Sequence, residues 1–148
     1  MQKGKILLVD DEVAFTTSMA KLLRVRGYQV STADSGKQAI SLLEAENFDV
    51  VVLDLKMPGM DGIATLNEIK NLKLHTETLI LTGHGSIDSA LEAFNLGAYD
   101  YLTKPCALED LLAKIEGAGK KKDVAEKRDA LNGMIRIKGS GKVRNSIG

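Results

Sequence analysis

Nothing in this 148-residue chain suggests a membrane or an export route. No apolar run approaches the ~20 residues needed to cross a bilayer, and no charged-then-apolar leader opens the chain. A soluble, cytoplasmic protein is expected. Cysteine is nearly absent as well: Cys106 stands alone, so no internal disulfide forms, and no histidine lies near enough in the pattern to activate it. Net charge is also missing, with 20 Lys+Arg against 20 Asp+Glu. That balance hides an asymmetry: residues 1–116 carry 11 basic and 17 acidic residues, net −6, and residues 117–148 carry 9 and 3, net +6.

The length suits one domain with its own hydrophobic core. The centre of the pattern is VVLDLKMPGMDG, from Val51 to Gly62. Apolar residues lead straight into Asp54, and a proline and two glycines then turn the chain. Such a run reads as a strand buried on both faces, as in a parallel sheet. Asp54 alone could simply start the turn.

Four further apolar runs read the same way: Lys5–Val9, Tyr28–Thr32, Thr78–Thr82 and Tyr99–Thr103. Between them the spacing becomes helical. Phe15, Met19, Leu22 and Leu23 recur over one such stretch, and Ile87, Ala90, Leu91 and Phe94 over another. Gly27 suits a helix C-terminus, Ser35 with Gln38 a capping box, and Ser86 an N-cap. A last helix is expected over Leu108–Ile115, ending before Gly117 and Gly119. Five strand–helix units predict an α/β fold with a mainly parallel sheet and helices on both faces. Residues 118–148 read as a basic extension, helical over 120–131 and flexible beyond, and too short for a folded DNA-reading domain. GSGK at 139–142 lacks the spacing of a phosphate loop.

In a parallel sheet the carboxyl ends of the strands share one edge, where open α/β sheets bind ligands. That edge gathers Asp10, Asp11, Asp54, Thr82 and Lys104. Each alone has an ordinary structural use; together they suit a narrow chemistry. Clustered carboxylates repel one another unless a cation joins them, and hard oxygen ligands with room for water fit Mg²⁺. Lys104 and Thr82 could hold the oxygens of a phosphoryl group, and Asp54 could attack it as a nucleophile.

ILLVDDE, VVLDLKMPGMDG, LILTGHGS and GAYDYLTKP resemble, in order and spacing, the four signatures of the response-regulator receiver domain of two-component signalling. The resemblance covers roughly residues 3–117. It implies a flavodoxin-like fold with strand order 2-1-3-4-5. It also implies phosphorylation of Asp54 by a sensor histidine kinase or phosphotransfer protein. Mg²⁺ would be held by Asp10, Asp11, Asp54 and the backbone carbonyl of Lys56. Thr82 and Tyr101 would form the switch, and Pro105 matches the position of a usual cis bond. Lys56 and His84 would flank the path of the hydrolytic water and set the lifetime of the phosphorylated state. An unidentified downstream partner, or a second copy, would meet the face of the fourth helix and the fifth strand and helix. No specific nucleic-acid binding is expected. Two other readings stand beside this one: a phosphatase with an Asp nucleophile, and a binding module that never needs phosphate.

Overall fold

The computed structural model describes residues 3–57, 61–83 and 85–147, with side chains to residue 135. Ten elements alternate: β1 (Lys5–Val9), α1 (Val13–Val25), β2 (Gln29–Ala33), α2 (Gly36–Ala45), β3 (Val50–Leu53), α3 (Gly62–Asn71), β4 (Glu77–Thr82), α4 (Ile87–Asn95), β5 (Asp100–Thr103) and α5 (Leu108–Ile147). The strands form one parallel sheet in the order β2-β1-β3-β4-β5, as the resemblance implies.

The period-2 alternation of each strand feeds two cores. Leu7, Val9, Val51, Leu53 and Ile80 face α2, α3 and α4, and pack with Ala39, Leu43, Leu66, Ile69 and Ala93. Ile6, Leu8, Val50, Val52, Leu79 and Leu81 face α1 and α5, and pack with Ala20, Leu23, Leu111 and Ile115. All four residues of β3 are buried, which requires helices on both faces of the sheet.

Local signals set the helix ends. The Ser35 hydroxyl accepts from Gln38 N at 3.2 Å, and Gln38 reaches back to the N–H of Asp34 rather than to that of the cap. Ser86 and Ser89 form a reciprocal box. Gly27 takes a φ of +100°, which an L-residue adopts only with strain.

Two features depart from what local periodicity alone suggests. The apolar stripe of α4 faces outward: Ile87 is 80% exposed, and Leu91 and Phe94 are also exposed. The short Ala93 is the buried residue of α4. The second is α5, which does not stop at Ile115 as expected but runs to Ile147. A glycine costs about 1 kcal/mol against alanine inside a helix, a cost packing readily offsets. Leu111, Ile115 and Ala118 continue one buried face. A Cβ on Gly117 would lie 2.4 Å from the Tyr99 hydroxyl, so glycine allows that approach. Beyond it Lys122 pairs with Asp49 at 2.9 Å, Lys121 with Glu77 at 3.1 Å and Asp129 with His75 at 3.1 Å. These contacts fasten the extension to residues bordering the amino-terminal edge of the sheet.

Candidate functional site

The opposite edge carries the polar cluster, and the sheet positions it directly. Backbone pairing continues one residue past three of the strands. Asp10 N donates to Ala33 O at 3.0 Å, Asp54 N to Val9 O at 2.9 Å and Lys104 N to Thr82 O at 2.9 Å. Asp54 is therefore held by the ladder and does not begin a free turn. Asp10 and Asp54 are each 3% exposed, and Thr82 is fully buried. Carboxylates this deep need donors or a cation.

The Thr82 hydroxyl donates to Asp54 Oδ1 at 2.6 Å, and the Lys56 backbone N–H approaches the same oxygen at 3.4 Å. Asp10 Oδ1 accepts from Glu12 N at 3.0 Å, which ties the start of α1 to the end of β1. Lys104 Nζ reaches Asp10 Oδ2 at 2.5 Å and Glu12 Oε1 at 3.2 Å. Burial disfavours the charged Lys104, but hydrogen bonds to Asp10 and Glu12 and the fields of Asp10 and Asp54 outweigh it. The ammonium is held above the ordinary lysine range.

Of the residues expected at this edge, Asp10, Asp54, Thr82 and Lys104 meet. Asp11 is exposed and is not among the clustered acids. Glu12 takes a place that sequence reasoning did not assign: Asp10, Glu12 and Asp54 each offer a carboxylate oxygen within 4.8 Å of the others. The available signal was the DDE run, whose third acid becomes the N-cap of α1. Three hard oxygens this close, two of them on buried acids, suit a divalent cation with water in its remaining positions.

Tyr101 lies on β5, its hydroxyl 3.2 Å from Ser89 Oγ on α4. A Cβ on Gly85 would fall 2.3 Å from that hydroxyl, so the glycine makes room for the ring. Lys56 is exposed beside the site. His84 and residues 58–60 lie outside the described residues. The Lys104–Pro105 bond is cis. Burial, with Asp110 nearby, pushes the Cys106 thiol up, consistent with an inert cysteine. Among the described residues no helix is long and apolar enough to cross a membrane.

A five-stranded 2-1-3-4-5 sheet with a buried aspartate and threonine and a half-buried lysine at its carboxyl edge defines a class of signalling domain. The family described as "Response regulator receiver domain" matches residues 6–116, and the chain belongs to that family. It is 45% identical over 113 residues to the transcriptional regulatory protein ZraR of Escherichia coli K12, covering 76% of this chain and 26% of ZraR. It is 38% identical over 129 residues to FixJ of Bradyrhizobium diazoefficiens, covering 87% of this chain and 63% of FixJ. A receiver-domain crystal structure from Clostridium thermocellum matches with a TM-score of 0.77 at 37% identity, over 82% of this chain and 98% of that one. The chain thus spans about a quarter of the length of ZraR. Its class is the phosphorylation-dependent switch of two-component signalling, and no relative reported above supports the phosphatase reading.

Proposed function

We propose that Asp54 accepts a phosphoryl group from the phosphohistidine of a sensor kinase or phosphotransfer protein in the cytoplasm. The observation that carries this is the 2.6 Å bond from buried Thr82 to buried Asp54, beside a cluster of acids that needs a cation. An Asp54 carboxylate oxygen forms the new bond to phosphorus as the P–N bond breaks. The freed imidazole nitrogen keeps the bonding pair and takes a proton from solvent.

The residues present fit Mg²⁺: the acids are hard oxygen donors and are clustered. Asp10, Asp11, Asp54 and the Lys56 carbonyl are the proposed ligands, and Glu12 joins them on geometry. When bound, the ion offsets the negative charge of the phosphoryl oxygens. Lys104 supplies a mobile ammonium to those oxygens. Thr82 exchanges its bond to Asp54 for one to the new phosphoryl group. The space it leaves on the β4 side is then open to Tyr101. The exposed stripe of Ile87, Leu91 and Phe94 on α4 supports this face as the surface read by a partner or a second copy.

Incubation with Mg²⁺ and acetyl phosphate tests the assignment. One acid-stable, hydroxylamine-labile phosphate per chain is expected, lost in Asp54→Asn. Label retained at full stoichiometry in that variant would refute it. Catalytic release of phosphate from common esters would favour the phosphatase.

A further inference from the structure

A lysine ammonium has three N–H donors. Among the described residues, the three groups that meet the Lys104 ammonium come from one short segment. Asp10 Oδ2 lies at 2.5 Å and Glu12 Oε1 at 3.2 Å, and the ring centroid of Phe15 at 4.0 Å. Glu12 is the N-cap of α1, and Phe15 follows three residues later, on the same side of the first turn. Among the described residues no hydrogen bond joins Lys104 Nζ to Asp54, which acts on it through its field. The ring borders an apolar slot lined by Met19, Leu81, Pro105 and Cys106, and the lysine side chain is 16% exposed. Shielding from water strengthens the attraction between an ammonium and an aromatic face.

We infer that Phe15 is a positioning residue that parks the Lys104 ammonium against Asp10 and Glu12. There the ammonium serves as an internal counter-cation of the acidic cluster. A divalent cation must then displace it to bind, and the displacement frees Lys104 to turn toward Asp54. Metal affinity is therefore set in part by an aromatic side chain that touches no metal. The inference rests on the reading of the cluster as a cation site, but not on Asp54 being phosphorylated.

Two measurements on the full chain test it. The first is the NMR shift of the Lys104 ε-methylene protons without metal. The face of the Phe15 ring should move them upfield, and saturating Mg²⁺ should return them toward the ordinary lysine position. The second is calorimetric titration with MgCl₂ of the parent, Phe15→Leu and Phe15→Tyr. Leucine fills similar space without a ring, so Mg²⁺ should bind two- to fivefold more tightly, the factor given by a contact of about 0.5–1 kcal/mol. Tyrosine should restore the parental affinity and the upfield shift. Ordinary ε-proton shifts in the metal-free parent would overturn the inference. So would unchanged or weaker binding in Phe15→Leu, a tyrosine variant that behaves like leucine, or a parent that binds no Mg²⁺. Acetyl phosphate labelling of Asp54 is scored separately, so a failed phosphorylation sinks the functional reading without deciding this one.

Discussion

Asp49→Asn asks whether charge holds the far half of α5 to the sheet. Asp49 stands just before β3. Its Oδ2 accepts the Lys5 N–H at 2.7 Å and its Oδ1 meets Lys122 Nζ at 2.9 Å. Lys122 is 12% exposed and Asp49 25%, so this pair is less screened than a surface one. Asparagine keeps the volume and an acceptor for Lys5, but removes the charge and turns the oxygen that met Lys122 into an N–H donor. Exposed ion pairs contribute about 0.2–1 kcal/mol, and hydrogen bonds to charged groups about 1.5–3. The burial lies between these cases, and Lys122 retains Glu126 at 2.9 Å. A loss of about 1–2 kcal/mol is expected for Asp49→Asn, and about 2–3 for Asp49→Ala, which also orphans the Lys5 N–H.

The pH dependence adds a sign. Burial works against the charged Lys122, but its bonds to Asp49 and Glu126 prevail and raise its pKa. A pKa raised by folding gives stability that is fully present below the unfolded lysine value of about 10.4 and is lost as pH rises through the folded one. The gap between parent and variant should therefore be flat from pH 7 to 9 and close above roughly 10.5. Urea unfolding followed by circular dichroism measures it, with hydrogen exchange at residues 119–126 reporting whether α5 loosens there. A gap below about 0.3 kcal/mol at neutral pH, or one that widens in alkali, refutes the reasoning.

Gly85→Ala should displace the Tyr101 ring, because the new methyl would meet its hydroxyl at 2.3 Å. The bond to Ser89 is then lost, at a cost of about 0.5–1.5 kcal/mol; unchanged Tyr101 ring signals in NMR would contradict this. Lys56→Asn and His84→Ala should change the rate of autodephosphorylation, measured as the decay of labelled protein after donor removal. Parental rates in both variants would mean that neither residue tunes the lifetime.

What could be read in advance was what local periodicity encodes. Ile6 to Val9 and Val51 to Leu53 announce buried strands, and the acid after each run falls on the shared edge because parallel strands point the same way. Glu12 was missed because its role depends on the angle at which α1 leaves β1, which no spacing reports. α5 was cut short for a different reason. Beyond Ala118 it is tied down by Lys121, Lys122 and Asp129, whose partners, Glu77, Asp49 and His75, are far away in sequence. A charge run paired over such distances looks the same as a solvated one until the chain is folded.

The two edges of the sheet divide the labour of charge. At the amino-terminal edge, Asp49 and Glu77 hold α5 through pairs that stay within the described structure. At the carboxyl edge, the Lys104 ammonium neutralises acids that a metal and a phosphoryl group would claim in turn. β3 connects the two, with Asp49 before it and Asp54 after it, and its four residues are fully packed. A strand buried on both sides has no slack to move in. β5 differs: three of its residues are half-buried and one is exposed, and the α4 beside it shows its apolar stripe to solvent. A change begun at Asp54 therefore meets least resistance along Thr82 toward Tyr101 and α4. On the proposed assignment of Asp54, the signal would leave by the side of the molecule where the core is thinnest.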